Sequence, residues 1–259
     1  MKTSFRELKL RAKQALLGNY TTVAGAFVAV ALLMLPLILF LILLLFGFSL
    51  AGSFLSENRY VNSLGFSVVY FCMLLLEFCI LPGMNRLYLN LCKREPSSVL
   101  DIFYGFRHNF GKFFLVALVI SLVLTALQVP LQILAQALSL PSIYDRLSVE
   151  FYGIFLCLYV LMILLVYLYI ALNFPWFYLI LVENPEKSIS EALGESRNLM
   201  RGHKRHYVRL WLSFIAWFLL GYMTLGIGFF WLIPYYSCTY IQFYWDLRQQ
   251  ANLLEQSNS

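Results

Sequence analysis

Residues 23–50 run for 28 positions without one charged side chain, and no feature constrains this chain more. About 20 helical residues suffice to cross the hydrocarbon of a bilayer. The block therefore predicts a membrane anchor, and it is about twice the apolar length of a secretory leader. Further apolar blocks follow at 64–91, 113–138 and 151–182. Each is longer than one perpendicular crossing needs, so tilt or extension past the hydrocarbon is expected. Charged residues make up only 12% of the chain and hydrophobic ones 61%, with a mean hydropathy of +0.75. A soluble domain carries roughly 25% charged residues to face water, so lipid must solvate much of this surface.

The last apolar block, 208–244, has 37 residues. One helix of that length would reach about 55 Å. Gly226 and Gly228 inside it suit a tight turn, which predicts two short spans at about 208–224 and 229–246. The alternative is one span with an interfacial segment. The expected fold is thus an all-α membrane protein with six transmembrane helices, a single polytopic domain over 1–259.

Basic residues set the orientation, because Lys and Arg concentrate on the cytoplasmic side. The N-terminal arm holds Lys2, Arg6, Lys9, Arg11 and Lys13. The second connection and its flanks hold Arg86, Lys93, Arg94, Arg107 and Lys112. Six more lie in the fourth connection, from Lys187 to Arg209, and Arg248 lies in the C-terminal tail. That places 17 of 19 basic residues on one side, with only Arg59 and Arg146 on the other. Both termini are expected in the cytoplasm. The net charge of +6 follows from topology and does not predict nucleic-acid binding.

A threefold pattern precedes the odd-numbered spans. Ser4, Ser98 and Ser188 are each followed three residues later by an acid, namely Glu7, Asp101 and Glu191. That is capping-box spacing, in which the hydroxyl and the acid satisfy orphan N–H groups reciprocally. Apolar stripes of helical period follow each Ser, predicting amphipathic helices over about 4–17, 98–110 and 188–201, closed by Gly18, Gly111 and Gly202. Pro82, Pro175 and Pro234 recur late in each following pair of spans. The Ser-to-Pro separations are 78, 77 and 46 residues. Three quasi-repeated kinked hairpins, each led in by a cytoplasmic amphipathic helix, would explain this; three ordinary lead-in helices are the alternative. Such helices would lie on the membrane with apolar face down and basic face toward anionic lipid. Otherwise they would pack together as a cytoplasmic collar.

Catalytic signatures are absent: there is no GxSxG, HExxH, Walker loop or GxGxxG. His203 and His206 lack the cysteines or carboxylates of a metal set, and the five cysteines form no CxxC pair. No enzyme activity and no cofactor are expected. Glu77, near the middle of the second span, is the most unusual residue, since an ionised carboxylate there costs several kcal/mol unless paired. It should face the bundle interior. Arg86 lies too far round and along the helix to pair with it directly. Thr125, Gln128, Gln132, Gln136 and Ser139 form one face of the third span, either lining a wet cavity or bonding between helices. Asn85 and Asn173 admit the same two readings. Candidate lipid-headgroup contacts are Arg6, Lys9, Lys13, Lys112, Arg201, Lys204 and Arg205.

The runs Met200-Arg201-Gly202-His203-Lys204, Leu212-Ser213-Phe214-Ile215-Ala216-Trp217 and Trp231-Leu232-Ile233-Pro234-Tyr235 resemble one family, as does Arg6-Glu7-Leu8-Lys9 with Gly18-Asn19. It is the bacterial integral-membrane family catalogued as domain of unknown function 975, and the resemblance extends over essentially the whole chain. It implies a multi-pass protein of the bacterial cytoplasmic membrane and carries over no activity and no functional residues. Two functional classes remain as expectations. One is a non-enzymatic module that binds lipid, a membrane-protein partner or a second copy of itself, supporting an envelope or export system. The other is a small transporter or channel component with a polar intramembrane site around Glu77.

Overall fold

The computed structural model describes residues 4–54, 59–138 and 149–258, and these are helical with no strand among them. The apolar blocks leave the backbone no water to bond, so every N–H and C=O must be satisfied within its own segment, which selects helix. Four stretches are long and apolar enough to cross a membrane: Tyr20–Gly47, Leu64–Lys93, Phe110–Gln132 and Gly153–Glu183. They belong to α2 (Tyr20–Phe54), α3 (Arg59–Lys93), α5 (Phe110–Leu138) and the pair α6 (Val149–Asn173) and α7 (Phe177–Glu183). Pro175 separates that pair. Its ring clashes with the preceding turn and it has no N–H to donate. Pro82 does not have this effect, and α3 continues through it.

Around these lie α1 (Phe5–Leu16), a five-residue 3-10 turn (Val99–Phe103), α4 (Tyr104–Arg107) and α8 (Ile189–Met200), followed by α9 (Lys204–Leu212), α10 (Ile215–Met223) and α11 (Phe229–Asn258). The chain separates into two compact units. The first comprises Met1–Ala31, Ile80–Asn109 and Leu172–Ser259; the second comprises Leu32–Cys79 and Phe110–Ala171.

The expected fifth span does not reach crossing length, and α11, where the sixth was expected, is long enough at 30 residues but not apolar enough to join the four. The break expected at the glycines is present: residues 224–228 form a turn, with Leu225 at φ 53° and Gly226 at φ 92°. However, a second break at Ser213 and Phe214 leaves α10 with nine residues, or about 13 Å of rise. The hydrocarbon core is roughly 30 Å thick. The α9 segment before the break carries Lys204, Arg205 and Arg209 and cannot supply the missing length. Phe230, just past the turn, meets Phe27 edge to face at 5.6 Å. Phe27 is the eighth residue of α2, so the hairpin tip lies about 10 Å along that helix.

The three Ser-x-x-acid motifs fold differently. At α8 the box closes, with Ser188 N donating to Glu191 (2.7 Å) and Glu191 N donating to Ser188 Oγ (3.2 Å). Asp101 likewise accepts from Ser98 N at 3.1 Å, yet only the 3-10 turn and the single turn of α4 follow. Ser4 accepts from Arg6 N, while Glu7 pairs instead with Arg11 at 2.5 Å. Gly18 (φ 85°) and Gly202 (φ 78°) lie just beyond α1 and α8. Gly111 does not play this part, because it lies inside α5. Asn109 at φ 52° ends the middle segment, with its amide donating to the Pro185 carbonyl at 3.2 Å. Asn is among the few side chains that tolerate the left-handed region.

Within the first unit α1 packs along α11, burying Leu8, Ala12, Ala15 and Leu16. Its apolar stripe is therefore covered by protein. Trp176, fully buried at 0% exposure, stands at the centre of this unit. Tyr207, Tyr240, Phe243 and Tyr244 surround its ring at centroid distances of 4.1–5.8 Å. Aromatic pairs of this kind add about 0.5–1.5 kcal/mol each beyond burial. Its backbone N–H donates to Ser196 Oγ at 3.1 Å and the Tyr240 hydroxyl donates to the Pro175 carbonyl. The proline break thus carries the hub residue directly after it. In the second unit Ser67 Oγ donates to Gln132 Oε1 at 2.9 Å and the Tyr159 hydroxyl to the Leu127 carbonyl at 2.5 Å. Along α6, residues such as Leu158, Leu164, Leu165 and Tyr167 are exposed, a solvent-facing apolar surface appropriate to lipid.

Candidate functional site

Two polar arrangements stand out in the first unit. The first gathers charges from three separate stretches of the chain, at Lys93, at 183–195 and at Arg248. Glu183, at the C-terminal end of α7, has a side chain only 12% exposed and receives Arg248 at 2.6 Å and Lys93 at 3.3 Å. The Tyr244 hydroxyl donates to it at 3.0 Å. Glu195 of α8 pairs with Lys187 at 2.5 Å and stands 3.8 Å from Arg248. The node ties the end of α3, the end of α7, α8 and α11 together. Every charge in it has an opposite partner, which is what makes partial burial tolerable.

The second arrangement is the flank of α1. Arg6, Lys9 and Lys13 are spaced three and four residues apart and share one face, beside the stripe buried against α11. Arg6 and Lys13 are exposed. Lys9 reaches inward: its ammonium donates to the Ser213 carbonyl at 3.2 Å and lies 4.3 Å from the centroid of the Phe214 ring. Burial lowers its pKa below the ordinary lysine value. Two cavities open along this flank. One of about 510 Å³ is walled by Tyr20, Trp217, Leu220, Trp231 and Tyr235 with Lys13 at its edge. The other, about 380 Å³, is lined by Phe5, Arg6, Lys9 and Leu10 and shares Lys13 and Tyr235 with the first.

A family model described as "Protein of unknown function (DUF975)" matches residues 1–251. The chain belongs to this DUF975 family. No curated protein and no solved structure matches it. The DUF975 match spans α1 and α11 as far as residue 251, so the α1 flank and the Glu183 node both lie within the family's extent.

The residues singled out in this DUF975 chain fall in several places. Glu77, expected to face the interior, is exposed on α3. Gln132 bonds Ser67, and neither it nor Glu77 lines the cavities along α1. Thr125 and Gln128 each hold a buried oxygen with no hydrogen-bond partner among the described residues. The side chains of Gln136 and Arg59 lie outside the described residues, as do Lys2, Ser139 and Arg146. Asn85 donates to the Leu81 carbonyl of its own helix at 2.9 Å, and Arg86 lies 5.3 Å from the Tyr104 ring. Asn173 is joined to Lys204, whose ammonium donates to its Oδ1 at 2.7 Å. Lys204 is half-buried, with its ammonium turned to Asn173. Arg201 and Arg205 are exposed and Lys112 is half-buried. His206 stacks on Phe5 at 4.4 Å. Among the described residues no group of three His, Cys, Asp or Glu side chains is placed to hold a metal.

Sequence reasoning missed the Glu183 node and the Trp176 hub. Glu183 is the first charge after an apolar block, at a depth where a carboxylate needs partners. Trp176 directly follows Pro175. Both positions were visible, but their partners are distant in sequence.

Proposed function

We propose that this chain is a non-enzymatic module of the bacterial cytoplasmic membrane whose cytoplasmic face binds anionic lipid, in support of an envelope or export system. Both termini are cytoplasmic on this reading, from the 17-to-2 division of basic residues. The final pair is a hairpin that enters and leaves on that same side without crossing. This differs from six spans yet returns the C-terminus to the same compartment.

The observation that carries the proposal is the basic flank of α1. Its buried stripe faces α11, and its outward surface carries Arg6 and Lys13, with Leu10 exposed among them. Basic residues at the surface of an anionic leaflet gain about 1 kcal/mol each. Because α1 is held by packing and by Lys9, that charge is presented in a fixed place. The test is the lipid composition of discs excised from the native membrane with an amphipathic polymer. The anionic fraction should exceed that of the bulk membrane; an equal fraction would contradict the proposal.

A second reading, a partner helix or a second copy, is favoured by Glu77. Its exposed carboxyl lies within the long apolar stretch of α3, where contact with lipid is costly. Cysteine cross-linking from position 77 in native membranes should trap a neighbour on this reading, and its absence would count against it.

A further inference from the structure

We infer that the paired cavities beside α1 form a single binding groove for one anionic phospholipid, its phosphate held by Arg6 and Lys13 and one acyl chain laid against Trp217, Leu220 and Trp231. The inference rests on the reading that the cytoplasmic face engages anionic lipid, and it names the site and the ligand class. The two cavities adjoin, with Lys13 and Tyr235 lining both. Their volumes, about 510 and 380 Å³, are of the size that holds small ligands.

The two ends differ in chemistry. The α1 end carries three cations, Arg6, Lys9 and Lys13, and no acid lines either cavity. The other end is aromatic and aliphatic. An amphiphile with an anionic head and an apolar tail matches this polarity. A zwitterionic lipid brings its own ammonium toward three cations and is disfavoured.

Position supports the same occupant. Tyr20 opens α2, where the first apolar span begins. Trp and Tyr concentrate at the level of the headgroups, where an amphipathic ring has one wet and one apolar side. Trp217, Leu220 and Trp231 are exposed along the groove, so the tail reaches it sideways from the bilayer. Gly221 and Gly228 bring the two limbs together: a Cβ on Gly228 would lie 3.0 Å from the Gly221 Cα. This close approach forms the floor of the groove.

The test is native mass spectrometry of the full chain in detergent, titrated with phosphatidylglycerol, phosphatidylcholine of the same chains, or free glycerol phosphate. One equivalent of phosphatidylglycerol should be retained in preference to phosphatidylcholine, with glycerol phosphate failing to compete. Arg6→Gln with Lys13→Gln should reduce that preference about 30-fold, at about 1 kcal/mol per basic residue. Leu220→Trp, which fills the apolar end, should weaken both lipids alike. Arg107→Gln, away from the groove, should behave as wild type. If the wild type prefers phosphatidylglycerol and the double variant keeps that preference, the groove is wrong while the broader lipid reading survives. If the wild type shows no preference, both fall. Competition by glycerol phosphate equal to that of the whole lipid would also overturn the assignment.

Discussion

Lys9 donates to the backbone carbonyl of Ser213 at 3.2 Å, joining α1 to the break between α9 and α10 across 204 positions of sequence. A helix that ends leaves carbonyls without an intrahelical partner, and a charged donor is a strong replacement. The bond therefore explains both how α1 is pinned and how the break is tolerated. Lys9→Gln should cost about 1.5–3 kcal/mol, the range for hydrogen bonds to charged groups. Burial lowers the folded-state pKa of Lys9, so just below the ordinary value of about 10.4 the folded chain holds fewer protons than the unfolded one. Stability from this group then rises with pH. Thermal unfolding in detergent should show the gap between wild type and Lys9→Gln widening from pH 8 to pH 10; a constant or narrowing gap would contradict this.

Gly83 touches backbone. A Cβ built there lies 1.9 Å from the Ile102 carbonyl oxygen, and a peptide group cannot rotate away as a side chain would. Gly83→Ala should destabilise by about 1–3 kcal/mol through overpacking. Gly111→Ala, where a Cβ meets nothing within 4 Å, should be neutral or mildly stabilising, since alanine is the better helix former. Denaturation of the two variants in the same detergent compares them directly, and equal behaviour would contradict the packing described.

Glu183 is the common partner of Lys93 and Arg248. Removing its charge leaves two part-buried cations facing a neutral amide. Glu183→Gln should cost on the order of 2–3 kcal/mol, below the usual range for fully buried pairs because Glu195 still faces Arg248. Glu186→Gln, at an exposed position, should stay within about 0.5 kcal/mol. Hydrogen exchange in α7 and α8 should separate the two, with faster exchange only in the first.

Much of the helix placement was legible, and the reasons are local. Ser188 and Glu191 close a capping box because both halves lie within one turn. The turn at 224–228 follows from Gly226, which takes a backbone conformation that other residues resist. The break at Ser213 and Phe214 has no such marker, with neither Gly nor Pro present, and for that reason the sequence reads as one span over 208–224 where α10 has nine residues. Amphipathic spacing identified which face of α1 is apolar but not what covers it, because α11 begins more than 200 residues later. Shorter separations, 65 residues between Glu183 and Arg248 and 31 between Lys204 and Asn173, hid the Glu183 node and the partner of Lys204 in the same way. Asn109 was overlooked because Gly111, two residues on, fits the pattern of Gly18 and Gly202.

On the proposed topology α1, the α10–α11 hairpin and both termini share the cytoplasmic side. Cysteine labelling tests this most directly, in a background where Cys72, Cys79, Cys92, Cys157 and Cys238 are replaced by Ser. Leu225→Cys marks the hairpin tip, where the side chain is 94% exposed, and Gln249→Cys marks an exposed position in the C-terminal third of α11. With a membrane-impermeant maleimide, the account predicts that neither position labels in intact cells and that Gln249→Cys labels in inside-out vesicles. Labelling of Leu225→Cys from outside intact cells would mean that the hairpin crosses the membrane, and would contradict the account.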